Sequence, residues 1–161
     1  MVSALTIFGL NDTMARYASY EILAGIIRQQ FANPVETLQE LFSRLALNIL
    51  CGSTDNHACN HAAFWDGRRL TLTPAYDSCP QGRAGNQAPQ AMLISSNNNL
   101  SQLKVCLAAA HHFLIKASDT RSFFERQNAI FESIYVTATT YYSCNRDLLR
   151  HKSRSFIEIG C

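Results

Sequence analysis

At 161 residues the chain fits one domain, or one lobe of something larger. A net charge of +2 is too small to argue for a nucleic-acid surface, and no apolar run approaches the roughly 20 residues of a membrane-spanning helix. Hydrophobic residues at 47% suffice for a sizeable core, while charged residues at 16% fall below the about 25% of ordinary globular chains, so part of the surface is expected to be covered.

The first thirty residues read as mostly helical. Asn11-Asp12-Thr13 offers N-caps before Met14-Ala15-Arg16-Tyr17, and Tyr20, Leu23, Ile26 and Ile27 recur at helical spacing. The second helix is marked more strongly. Asn33 suits an N-cap, Pro34 the first turn, and Glu36 completes a capping-box pattern. Leu38, Leu41, Phe42, Leu45 and Ile49 form its buried stripe, and Gly52 ends it. That helix delivers the chain into Thr54-Asp55-Asn56-His57-Ala58-Cys59-Asn60.

Next come two strand-like runs, His61 to Trp65 and Arg69 to Thr73, with Asp66-Gly67 between them. Asp-Gly supplies the positive φ angles of a tight hairpin turn. Leu70 and Leu72 alternate with Thr71 and Thr73, as in a strand with one buried face. Pro74 ends the ladder because it cannot donate a hydrogen bond. Trp65 reads as a hairpin packing residue. A turn-rich stretch from Ser78 to Asn99 follows, of a length usual for functional or mobile loops. A third helix is expected from about Leu100 to Lys116, apolar at Leu103, Leu107, Ala110 and Leu114. Ser118-Asp119 caps a fourth through Phe123, Phe124, Ile130, Phe131 and Ile134. Residues 137–161 are weakly patterned, and their cluster Arg146, Arg150, His151, Lys152 and Arg154 reads as a solvated basic tail.

The hairpin puts Asn60 at one base and Asp77 at the other, with Asp55 five residues before Asn60. A phosphoryl-transfer site needs few protein groups. One carboxylate orients or deprotonates the attacking hydroxyl, and an amide oxygen and a second carboxylate hold the metal ions on the ATP phosphates. The protein-kinase catalytic loop uses the same five-residue Asp-to-Asn spacing, then places the metal-binding Asp beyond a hairpin. Singly, Asp55 and Asp77 could be turn-capping residues and Asn60 a loop amide; the combination is what points to phosphoryl transfer. His57 reads first as a packing or hydrogen-bonding group beside Asp55.

Other chemistries fit less well. His57, Cys59 and His61 alternate, but structural zinc sites pair their ligands at other spacings. His111-His112 reads as a core or boundary pair. There is no Gly-x-Ser-x-Gly elbow, and Gly82-Arg83-Ala84-Gly85 lacks the Lys-Ser/Thr of a P-loop. The six cysteines include no Cys-x-x-Cys pair, and the start of the chain lacks the features of a secretory signal, so the thiols read as reduced and cytosolic.

The run Leu50 to His61, followed by Leu72-Thr73-Pro74-Ala75-Tyr76-Asp77, resembles the C-terminal domain of HipA-type serine/threonine kinases, toxins of bacterial toxin–antitoxin systems. The family motif is approximately G-N-T-D-x-H-x-x-N, then L-x-P-x-Y-D. The resemblance implies a mainly α-helical fold with a small catalytic β-hairpin, a protein-kinase-like C-terminal lobe over residues 1–136, with 137–161 unassigned. It implies Asp55 as catalytic aspartate, Asn60 and Asp77 as metal ligands, and Asn60, Asp77 and His57 as nucleotide-contacting residues. The implied cofactors are ATP and Mg2+. The implied partners are a HipB-like antitoxin and a protein substrate of the aminoacyl-tRNA synthetase class, in a bacterial cytoplasm.

The chain departs from the family pattern in places. Ser53 stands where Asn is usual, and Cys59 replaces a usual Lys or Arg. The family's N-terminal lobe, with its ATP-gripping lysine and phosphate-covering loop, is expected to precede this region and to be supplied in trans. Transfer by the single lobe alone is expected to be weak, because phosphoryl transfer depends on positioning and electrostatics within a closed cleft. The alternative is a non-catalytic binding module, or a remnant, that sequesters an antitoxin or substrate.

Overall fold

The computed structural model describes residues 1–78 and 88–142. Its core is built on the second predicted helix, α3 (Pro34–Cys51). Every residue of the expected stripe, Leu38, Leu41, Phe42, Leu45 and Ile49, is buried. Gly52 ends the helix in the left-handed conformation at φ 76°, which only glycine adopts without a Cβ penalty. The expected capping box does not form: Asn33 makes no side-chain cap hydrogen bond, and Glu36 is exposed. Pro34 in the first turn starts the helix without it.

The N-terminal region is less helical than its periodicity suggests. Val2–Ser3 forms a strand, β1, followed by a single turn, α1 (Ala4–Ile7). Asn11 does cap, accepting from Met14 N at 3.1 Å, but what it starts is a 3-10 segment over Asp12–Tyr17. The helix proper, α2 (Tyr20–Gln30), is capped by Ser19 and buries Tyr20, Leu23, Ala24 and Ile27 against α3.

The hairpin is present as β2 (Ala62–Trp65) and β3 (Leu70–Leu72). Its connection is a four-residue loop, because Trp65 pairs with Leu70. The tight Asp-Gly turn is therefore not made. Instead the Asp66 carboxylate accepts from Arg68 N and Arg69 N, both at 2.7 Å, and Gly67 alone in the loop takes a positive φ. β1 covers the other edge of β2, giving an antiparallel sheet of order β1-β2-β3. Trp65 is 55% exposed, beside Phe64 at 51%, so it is not a packing residue.

The described part of the turn-rich stretch, residues 88–99, packs as a strap. Met92 and Ile94 are fully buried, and Leu93 bridges to Ser19 at the start of α2. Residues 79–87, including Gly82 and Gly85, lie outside the described residues. The third helix is shorter and rotated relative to expectation. α4 (Leu103–Ala109) continues as a 3-10 turn over Ala110–Phe113 and is stopped at Leu114, φ 59°. It buries Val105, Cys106, Ala109, Ala110 and Phe113, whereas Leu103 and Leu107 are half-buried and Leu114 is 50% exposed. α5 (Ala117–Tyr142) starts before Ser118-Asp119, which lie in its first turn. Phe123 and Phe124 close the core around Phe42, whose ring centroid lies 5.1 Å from Phe113, 5.0 Å from Phe123 and 6.0 Å from Phe124. Ile130 is 48% exposed, and the side chains of Phe131 and Ile134 lie outside the description, as does the basic cluster from Arg146. No helix of the described residues is long and apolar enough to cross a membrane.

Candidate active site

The loop after α3 meets the segment that follows β3 through side-chain hydrogen bonds. Asn60, in a short 3-10 turn over Ala58–Asn60, is 4% exposed. Its Nδ2 donates to Asp77 Oδ2 at 2.9 Å, across seventeen residues of chain. Asp77 is exposed and held at φ 56°, in the left-handed region. Aspartate tolerates that region better than most residues, yet the conformation still costs on the order of 1 kcal/mol, and such residues gather at functional sites. Tyr76, next to Asp77, donates its hydroxyl hydrogen to the Cys59 carbonyl, so the two arms are stitched twice.

Asp55 is exposed at the outer part of the loop, with its carbonyl accepting from His57 N at 3.0 Å. His57 is half-buried, its carbonyl accepts from Asn60 N at 2.9 Å, and its buried Nδ1 has no hydrogen-bond partner. Thus Asn60 and Asp77 are in direct side-chain contact. Asp55 and His57 belong to the same loop but are tied to it through backbone bonds.

Beneath the loop lies a polar layer that periodicity did not flag. Tyr20, read from sequence as one residue of an apolar stripe, is fully buried, and its hydroxyl accepts from Asn56 Nδ2 at 2.9 Å. The same oxygen lies 3.2 Å from His61 Nε2. Burial drives the Tyr20 phenol well above its ordinary range. Burial also lowers His61 to about 3, aided by the nearby Arg44 guanidinium and His57. Arg44, on α3 and 7% exposed, donates from Nη2 to the Thr73 carbonyl at 2.6 Å and from Nε to Glu40 at 2.8 Å. It fixes the strand that leads to Asp77. From the strap, Gln90 Nε2 donates to the Ser53 carbonyl at 3.0 Å, and Ala91 N donates to the Thr54 carbonyl at 2.9 Å. The signal that could have found these residues is weak: a Tyr and an Arg on helix faces otherwise apolar.

Two oxygen-bearing side chains in contact, one a carboxylate and one a carboxamide, make a hard donor set. Such ligands suit Mg2+, which binds through one or two carboxylates and completes its shell with phosphate oxygens and water. Among the described residues no group of three or more His, Cys, Asp or Glu side chains is placed to hold a metal by itself. A cation at such a pair would take its remaining ligands from water or from a bound anion.

Comparison with known proteins gives the fold a relative. A comparison with curated proteins returns no match. Among solved structures the chain is similar to one from Shewanella oneidensis MR-1, described as the toxin–antitoxin system HipA, HipB and its operator DNA complex. The TM-score is 0.73 at 16% identity, over 95% of this chain and 40% of that one. The chain therefore spans well under half of the similar chain's length. The family profile of the HipA-like C-terminal domain matches residues 1–139. With that match covering most of its length, the chain belongs to the family of HipA-like C-terminal domains.

Proposed function

We propose that this domain is the catalytic lobe of a HipA-like serine/threonine-protein kinase, transferring the ATP γ-phosphate to a protein hydroxyl. The observation that carries the reading is the Asn60–Asp77 contact at 2.9 Å, at the foot of a hairpin, with Asp55 five residues upstream in the same loop. Asp55 is exposed, as a group that must meet an incoming serine or threonine needs to be, and an ionised carboxylate only accepts hydrogen bonds. Its role is to orient that hydroxyl and take its proton. Asp77 and the Asn60 carboxamide oxygen hold the metal–nucleotide. The Asn60 amide nitrogen is committed to Asp77, which keeps the two ligands from separating. Mg2+, when bound, neutralises charge on the phosphates. His57, half-buried in the same loop, is assigned to the nucleotide by the family resemblance.

The lobe requires a second lobe to close the cleft, supplied in trans or by a longer chain. The partner that restrains it is a HipB-like antitoxin, by analogy with the Shewanella complex. The first substrate class to assay is an aminoacyl-tRNA synthetase, in a bacterial cytoplasm. The test mixes the chain with the N-terminal lobe of a HipA-type kinase and follows phosphate transfer from Mg·ATP to protein. Asp55→Ala is expected to lower the rate by about 10²–10⁴-fold while leaving thermal stability unchanged, because the side chain is exposed and its loss removes a general base. Equal rates for the wild type and the variant would overturn the assignment.

A further inference from the structure

We propose that the Tyr20 hydroxyl is a positioning residue for the phosphotransfer loop, a latch that holds the two ends of the loop at a fixed separation. Its oxygen receives Asn56 Nδ2 at 2.9 Å and meets His61 Nε2 at 3.2 Å. Asn56 directly follows Asp55, and His61 directly follows Asn60. One atom on α2 therefore touches the neighbour of each of the two loop residues assigned to the chemistry.

The latch is built of buried parts. Tyr20 is 0%, Asn56 5% and His61 2% exposed. The Tyr20 and His61 rings meet edge to face, with centroids 5.4 Å apart. The Tyr20 oxygen accepts from Asn56, and its contact with His61 Nε2 can be made by either ring tautomer, because a phenol oxygen can accept twice or accept once and donate once. Packing alone does not explain the hydroxyl. A phenylalanine would fill nearly the same volume, and a buried hydroxyl is unfavourable unless hydrogen-bonded. Two of its contacts go to the loop, 36 and 41 residues away in sequence, while the Asn48 side chain on α3 also bears on the hydroxyl. Any drift of Asn56 relative to His61 changes the Asp55–Asn60 spacing, and misplacement of that kind lowers transfer without touching substrate.

The functional half of this inference rests on the phosphotransfer reading; the latch itself does not. The experiment compares the wild type with Tyr20→Phe in two measurements. The first is amide hydrogen exchange of the whole chain. Exchange in residues 54–61 is expected to quicken about tenfold or more, with α3 unchanged, because two buried polar groups lose their shared partner. The second is phosphate transfer with the complementing lobe, where kcat is expected to fall about tenfold and KM for ATP to stay within about threefold. Unchanged loop exchange overturns the latch, and a quickened loop with unchanged kcat overturns its positioning role. A quickened loop in a protein whose wild type transfers no phosphate supports the latch and removes the kinase reading. Should Tyr20→Phe fail to fold, Asn56→Leu severs one arm only. Exchange should then rise at 54–57 more than at 60–61, and uniform or absent change overturns the proposal.

Discussion

Helix α3 and the loop it delivers are adjacent in the chain but are held by different physics. The helix is shaped by its own sequence: a proline in the first turn, an apolar stripe at helical spacing, a glycine at the end. The loop from Ser53 to His61 contains little regular structure and takes its shape from distant residues. Tyr20 binds it from α2, Gln90 and Ala91 from the strap, and Asp77 from beyond the hairpin. A packed stripe tolerates small adjustments of its many contacts. A loop held by a few hydrogen bonds has discrete fastenings, and each can be removed singly.

Three substitutions sharpen that contrast on the stability side. The largest effect is expected from Phe42→Ala, which empties the place where three aromatic rings converge. Unfolding in denaturant should show a loss of about 3–5 kcal/mol, as for other buried phenylalanines. A loss below about 1 kcal/mol would mean that α3 is not the centre of the core.

The second effect tests the loop through pH. His61 has its folded-state value lowered to about 3, below the 6.5 of an unfolded histidine. Between those values the unfolded chain binds the extra proton and the folded chain does not. The stability tied to the neutral ring is therefore complete above pH 6.5 and is lost as pH falls toward 3, by about 1 kcal/mol per pH unit at the steepest. Replacing His61 by Gln should flatten the slope of unfolding free energy over that window. An unchanged slope would place the responsible group elsewhere.

The smallest effect is local to the junction between the two regions. Gly52→Ala puts a Cβ on a residue at φ 76° and should cost about 1–2 kcal/mol in thermal or chemical unfolding. The destabilisation should be accompanied by faster amide exchange at the end of α3 and not in the strap. A neutral result would show that the chain can leave the helix by another route.

The sheet shows where local reading stops. Two strands with Asp-Gly between them are legible as a hairpin, yet the turn length followed from the Trp65–Leu70 register, which the two letters do not encode. β1 was hidden because two residues carry no period, and its pairing partners lie about sixty positions away. The third helix misled for a related reason. Leu103, Leu107 and Leu114 outweigh alanines on a hydropathy count, but the buried face takes the small Cys106, Ala109 and Ala110, with Phe113 packed against Phe42 of α3. In the site, the Asp55–Asn60 spacing and the later Asp77 were readable from residue types. The Tyr20, Arg44 and Gln90 supports were not, since each sits on an element whose pattern has another explanation.

Residue pattern alone specifies α3, the hairpin and the family motif, because each is written within a few consecutive turns or strands of chain. The contact between Asn60 and Asp77 and the polar layer beneath their loop arise only once the chain is folded. Those bonds join positions separated by 17 to 41 residues, and hydrogen bonds in a buried layer depend on the distance and direction of single atoms, which no periodicity records.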